Sequence, residues 1–263
     1  MKRIPVFLCL AIIGLLVVAC TPAEPANKLE AIKDAGVIVV GTSADYPPFE
    51  SIDEAGNMVG FDIDLMNEIG KRMGVEVEIQ DLPFDSLIAS VQENKIDASI
   101  AAFNYTEERD EVVDFTDAYY YAEDGLLVVE GWSGEINVPE DMANYTVGVQ
   151  TGSTADGWVA ENLVDAGLMS DDNVFRYERM DQAALDVKAG RIDILMTDYV
   201  PAQALADEVG GLVVVFHAEL STGPVNIITP QGEDELTDEL SRIIAELLEE
   251  GYIDELATRF IGN

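Results

Sequence analysis

A single arginine, Arg109, stands six residues beyond the apolar run 98–103, inside the stretch DASIAAFNYTEERDEVVDFT (residues 97–116). Cationic side chains are scarce in this chain, with 14 Lys plus Arg against 51 Asp plus Glu. A strand that runs out into a polar loop with a guanidinium just beyond suits a planar carboxylate. The guanidinium fork matches two carboxylate oxygens, and backbone N–H groups at the strand end add to it. The plain alternative is a surface arginine paired with its acidic neighbours, a contact worth little. An opposite charge stands at Asp198, in Thr197-Asp198-Tyr199 at the carboxyl end of the expected strand 191–196. There a carboxylate can receive an ammonium group, or simply cap the segment that follows. Gly152-Ser153-Thr154 opens a helix directly after the strand 145–149. Free N–H groups and the helix dipole make this corner anion-friendly, and ordinary N-capping by Ser153 or Thr154 is compatible with that. A zwitterion needs opposite charges at opposite ends of a dry cleft, since either charge buried unpaired costs several kcal/mol.

The elements that must position these groups alternate strand and helix. Residues 28–35 read as a short helix ended by Gly36, and Val37-Ile38-Val39-Val40 as a fully buried strand of a parallel sheet. The loop after it, Tyr46-Pro47-Pro48-Phe49, is stiffened by two prolines at a strand's carboxyl end, where open α/β sheets bind ligands. Tyr46 is the better ligand candidate there, and Phe49 a plug for the sheet edge. Residues 53–57 form a hairpin turn. The helix after it takes Asp62 as N-cap and Leu65, Met66, Ile69 and Met73 as its apolar face. Val75, Val77 and Ile79 alternate with glutamates as a strand with one polar face. Phe84 stands at the mouth of the next helix, as core or as pocket wall. A second block of βα units begins near Trp132. Strand is expected at 174–177, 191–196, 212–216 and 226–229, with helix at 181–189. The last long helix buries Leu236, Leu240, Ile243, Ile244, Leu247 and Leu248. The lone His217 is a surface residue.

The length, 263 residues, admits one large domain or two ordinary ones, and 48% apolar with 25% charged residues marks a globular protein. A net charge of -37 excludes nucleic-acid binding and docking on anionic lipid through a basic patch. The charges are interspersed with apolar residues, as on solvated helix faces, and suit a saline or acidic milieu. Lys2 and Arg3 precede an apolar run at 4–18, too short to span a membrane comfortably and right for a signal peptide. The run ends Val17-Val18-Ala19-Cys20 before a Pro/Ala-rich tether. This resembles a bacterial lipobox, with residues 1–19 removed, Cys20 carrying the lipid and residues 20–27 as tether. An ordinary signal peptide cut near Ala19 is the alternative.

The whole pattern resembles the bacterial extracellular solute-binding proteins of the polar amino acid class, family 3, the ligand-capturing components of ABC importers. The marks are Tyr46-Pro47-Pro48-Phe49-Glu50, Gly60-Phe61-Asp62-Ile63-Asp64-Leu65, Thr106-Glu107-Glu108-Arg109 with Val113-Asp114-Phe115-Thr116, Val147-Gly148-Val149 with Gly152-Ser153-Thr154, and Gly190-Arg191-Ile192-Asp193. The resemblance implies an α/β, two-lobe, type II periplasmic-binding-protein-like fold with a ligand cleft between the lobes. Residues 28–120 and 226–263 form the first lobe and 121–225 the second, with crossovers near 119–123 and 221–225. It implies that Arg109 clamps a ligand's α-carboxylate, with Asn104 where a Thr or Ser usually helps, and with Ser153 and Thr154 as second-lobe donors. The Ala102 carbonyl and Asp198 receive the α-ammonium, while Tyr46 and Phe84 wall the ligand side chain with Phe103 nearby. Ser43 stands where relatives that bind cationic or amide side chains often present an acid, which points to a polar or uncharged ligand. The expected partners are an amino acid, a permease and, through Cys20, the membrane. A monomer without cofactor and without catalysis is expected. Two rivals stand beside this. A dehydratase of cyclic precursors on the same fold needs an acid or base against the substrate ring, and only Asp198, Glu50 and Glu123 qualify. A receptor module for amino acids needs a second apolar span, and the sequence holds none of suitable length.

Overall fold

The computed structural model describes residues 25–262. The leader, Cys20 and most of the tether lie outside them. The tether's last residue, Asn27, caps the helix Lys28–Ala35 by accepting from Glu30 N.

A six-stranded and a five-stranded sheet carry the molecule, and in each a parallel core is completed by antiparallel strands. In the first, Glu76–Asp81, Val37–Thr42 and Ala98–Asn104 run parallel. Pro224–Pro230 then enters antiparallel beside Ala98–Asn104, with Val113–Phe115 beyond it. The second sheet orders Val174–Tyr177, Val147–Gln150 and Ile194–Asp198 in parallel, then Asp124–Val129 and Leu212–Ala218 antiparallel. Each sheet separates two apolar layers, as continuous hydrophobic strands require. In the first, Leu65, Met66, Ile69, Leu240 and Ile244 cover one face, and Leu87, Val91 and Ile96 the other.

The second sheet already includes Asp124–Val129, so the second block begins before Trp132. The reason is Asp124. Its buried carboxylate accepts from the backbone N–H groups of Leu220, Ser221 and Thr222 and from the hydroxyls of Ser221 and Thr222. The chain's first exit from the first lobe is thereby tied to its return. Just before, the two crossovers pair with each other, Tyr120 opposite Val225 and Tyr121 opposite Pro224. One two-stranded ribbon therefore joins the lobes.

The helical faces follow their apolar spacing. Phe61–Met73 buries Leu65, Met66, Ile69 and Met73, and Asp234–Glu249 buries Leu236, Leu240, Ile243, Ile244 and Leu247. Leu248 instead faces solvent, one residue off the stripe. Asp62 is not the N-cap of its helix: Gly60 occupies that position, with φ 139°. A Cβ at Gly60 would lie 2.1 Å from the Phe49 carbonyl oxygen. Only glycine lets Phe61 N donate to Pro48 O (3.0 Å) and Asp62 N to Phe49 O (2.9 Å). The Pro-Pro loop and the Gly-Phe-Asp helix start are thus one locked unit, and Asp62 is turned inward.

Candidate functional site

The strand Ala98–Asn104 delivers the first group of cleft residues, and it does so by leaving regular pairing. Asn226 opposes Phe103 while Ile228 opposes Ser99, so the strand carries extra residues in between. Ala102 sits in this bulge with φ 46°, a left-handed conformation that costs an alanine of order 1 kcal/mol. Asp62 holds it there: its Oδ2 accepts from Ala102 N (2.9 Å) and from the Tyr119 hydroxyl (2.8 Å). Ala102 has no partner in the strand register and lines the cleft.

Arg109 follows on the short helix Glu107–Asp110, whose N-cap Thr106 accepts from Arg109 N. Arg109 as a whole is only 8% exposed. Its guanidinium lies 5.6 Å from the ring centres of both Phe84 and Phe103. Nη1 donates to Asn104 O (2.8 Å), and Nη2 crosses the cleft to Gly152 O (3.0 Å). No carboxylate pairs with Arg109 among the described residues, although Glu107, Glu108 and Asp110 surround it in sequence. Burial pulls the guanidinium down to about 10, against the attraction of Glu108 and Asp198, so it stays charged at neutral pH. The surface-pair reading is therefore excluded by burial.

Asp198 closes the strand Ile194–Asp198 and precedes the helix Tyr199–Val209. Its side chain makes no capping bond, and it is 7% exposed. Burial, and the charge of Asp124, push its carboxyl up to about 8, while the Tyr46 hydroxyl and Arg109 act the other way. Tyr46 reaches across from the first lobe, its hydroxyl 2.8 Å from Thr197 Oγ1 and accepting from Asp198 N (3.1 Å).

Tyr46, Phe84, Ala102, Asn104, Arg109, Ser153, Thr154 and Asp198 all line one cleft between the lobes. Phe103 does not. It is fully buried behind Phe84, their rings stacked at 4.8 Å, and it supports the wall without facing the cleft. Alternation along a strand explains this: Ala102 and Asn104 turn to the cleft and Phe103 to the core. Ser153 is the N-cap of Thr154–Val159, and Thr154 Oγ1 donates across the cleft to Asn104 Oδ1 (3.3 Å). The cleft also takes Ser43 and Glu50, together with Gln150, Met196 and Thr197, and these last three carried no chemical signature of their own beyond strand-end positions. Ser43 gives its hydroxyl to Asp45 Oδ1 (2.8 Å). Two amide nitrogens, Asn104 Nδ2 and Gln150 Nε2, are buried without a partner, as is Glu50 Oε2.

The site and fold define a two-lobed capture protein for a small ligand carrying both charges. The chain belongs to the family described as bacterial extracellular solute-binding proteins, family 3, which it matches over residues 38–263. It is 31% identical over 230 residues to the histidine-binding periplasmic protein of Escherichia coli strain K12, covering 85% of this chain and 86% of that one. An ancestral arginine-binding protein solved with arginine superposes with a TM-score of 0.80 and 35% identity, over 86% of this chain and 99% of the other. The ancestral amino acid-binding protein AncCDT-1, a precursor of cyclohexadienyl dehydratase, superposes at 0.78 with 30% identity, over 90% of this chain and all of the other. Among the described residues no helix is long and apolar enough to cross a membrane.

Proposed function

We propose that this chain captures a basic amino acid, arginine in the first instance, outside the cytoplasmic membrane and delivers it to an ABC permease. The observation that carries the reading is the pair Arg109 and Asp198. Both are buried in the same cleft, one a base and the other an acid, and neither has an ion-pair partner among the described residues. An α-carboxylate takes the Arg109 donors together with Asn104 and the Thr154 hydroxyl. An α-ammonium takes Asp198 and the Ala102 carbonyl. The side chain runs between Tyr46 and Phe84.

A basic side chain is supported by Glu50, an acid in the cleft that compensates for the serine at position 43. Once Arg109 and Asp198 are matched by the ligand's own zwitterion, Glu50 remains. The arginine- and histidine-binding relatives support the same class. The lipid on Cys20, the tether 20–27 and the lobe limits 28–120 with 226–263 and 121–225 belong to this reading, as does action as a monomer. No His, Cys or Lys lines the cleft, which supports binding without catalysis.

Thermal-shift titration of the purified chain against amino acids tests the proposal. A ligand at 100 times its Kd stabilises the native state by about 2.7 kcal/mol. Arginine is expected to give such a shift with no product formed. Arg109→Ala is expected to weaken binding by about 3 kcal/mol, roughly a hundredfold. No shift with any amino acid, or an unchanged shift in Arg109→Ala, overturns the assignment.

A further inference from the structure

Two carboxyl groups lie against each other beneath the cleft. Glu50 is 1% exposed and Asp62 0% exposed. Asp62 Oδ2 is satisfied by the Ala102 N–H and the Tyr119 hydroxyl. Its other oxygen, Oδ1, is buried without a donor, and so is Glu50 Oε2. Asp62 N donates to the carbonyl of Phe49 (2.9 Å), the residue before Glu50, which sets the two buried carboxyls side by side, each acting on the other. An ionised carboxylate only accepts, so two ionised groups here leave two buried acceptors unmatched and two like charges in contact. One proton between them removes both defects. Asp62 already receives two donors, which favours its charged form, so the proton resides on Glu50 and is donated to Asp62 Oδ1.

Among the described residues no cation forms an ion pair with either carboxyl of the pair. Phe49, Phe61, Tyr119 and Tyr120 form an aromatic cluster around it, with Phe49 and Phe61 ring centres 5.8 Å apart and Phe61 and Tyr119 6.0 Å apart. The titratable groups that face Glu50 from neighbouring elements are Asp62 on its helix, Tyr119 on the crossover, Tyr46 and Asp45 on the preceding loop, and Asp198 across the cleft. All are acidic or phenolic. Burial pushes Glu50 well above the usual carboxylate range, and the neighbouring Asp62, Asp45 and Asp198 push the same way. Glu50 nevertheless lines the cleft, so a ligand can reach the group that holds the proton.

We propose that Glu50 and Asp62 share a single proton, and that a cationic ligand side chain arriving at Glu50 displaces it, so that capture of a basic amino acid releases this proton. The step is an exchange of one positive charge for another. The O–H bond of Glu50 breaks, the proton leaves to water, and the carboxylate electron pair is compensated by the ligand's cation. The net charge of the buried group does not change, which is why the exchange avoids the cost of an uncompensated ion. Asp62 grips both the bulged strand at Ala102 and the crossover at Tyr119, so the exchange takes place at a junction of cleft and hinge. The displacement rests on the basic-ligand reading given above; the shared proton does not.

Infrared spectroscopy of the wild-type chain at about pH 9, a unit above the Asp198 titration, separates the two. The C=O stretch of a protonated carboxylic acid, distinct from carboxylate bands, is expected in the ligand-free protein and absent from Glu50→Gln. Its absence from the wild type overturns the shared proton. Saturating arginine is expected to bleach the band. Calorimetry in buffers of different ionisation enthalpy at about pH 7.5 is expected to count about one more released proton in wild type than in Glu50→Gln. A band unchanged by bound arginine overturns the displacement, as does equal proton release. Failure of arginine to bind overturns the ligand reading and the displacement with it, while the band at high pH still decides the proton.

Discussion

At the scale of single residues, Asp198 sets the response to pH. Its carboxyl is pushed up to about 8, above its unfolded value, by burial and by Asp124. A raised folded value means that the native state binds more protons than the unfolded chain. Its stabilising contribution is then complete at low pH and lost as pH rises towards 8. Asp62, pushed up to about 6 by burial, acts in the same direction over a narrower window. The ligand-free protein is therefore expected to lose thermal stability between about pH 5 and pH 8, and Asp198→Asn to flatten the upper part of that slope. Binding has the opposite sign, because an ammonium partner favours ionised Asp198. Affinity for an amino acid is expected to rise as pH approaches 8, and calorimetry across this range should show the rise weakened in Asp198→Asn.

At the scale of elements, the closed arrangement is held at two sides of the cleft. Arg109 reaches Gly152 on one side. On the other, Asp45 is buried at 3% exposure and its Oδ2 accepts from Met180 N (2.5 Å) at the start of the helix Met180–Lys188, while Arg179 leans on Ala44 O. A carboxylate at a helix N-terminus is favoured by the free N–H groups and the dipole. Among the described residues Asp45 makes no other hydrogen bond to the second lobe, so its contribution to Met180 exists only when the lobes are together. Asp45→Asn is expected to weaken ligand affinity by ~1–2 kcal/mol, about five- to thirtyfold. Small-angle scattering should show a larger radius of gyration at subsaturating ligand, and an unchanged affinity would remove Asp45 from the closure. The loop and helix start locked at Gly60 make a second prediction. Gly60→Ala drives a Cβ into the Phe49 carbonyl at a φ that alanine avoids, and more than ~1 kcal/mol of stability should be lost in chemical denaturation. Because that unit carries Tyr46, Glu50 and Asp62 together, binding should weaken beyond the loss of stability.

At the scale of the whole molecule, charge dominates. The net charge of -37 is spread over exposed acidic positions, and most ion pairs are at the surface, such as Arg72 with Glu68 and Glu250, and Arg242 with Glu239 and Glu246. Such pairs contribute ~0–1 kcal/mol each and cannot offset the repulsion among the remaining carboxylates. Added sodium chloride shortens the Debye length from about 10 Å at 0.1 M to about 3 Å at 1 M. The melting temperature is expected to rise over this range at neutral pH. A fall would show that local ion pairs outweigh global repulsion.

The sequence by itself determined the βα order, the apolar faces of the long helices and the two oppositely charged residue types that the fold brings into one cleft. Continuous apolar strands, 3.6-residue spacing and a lone arginine are local signals that survive without a fold. Arg109, Asp198 and the Gly152-Ser153-Thr154 corner were legible because each follows a strand end, where open α/β sheets gather ligand groups. What the tertiary structure alone decided is which way each side chain turns. Phe103 faces the core because its neighbours face the cleft, and Asp62 turns inward because Gly60 takes the cap position and frees it for Ala102 and Tyr119. Gln150 and Thr197 gave no signal because their meaning arises only when two lobes meet. Glu50 is the clearest case. In the sequence it is one acid among 51, and only its burial against Asp62, far outside hydrogen-bond reach along the chain, makes it a group that must hold a proton or meet a cation.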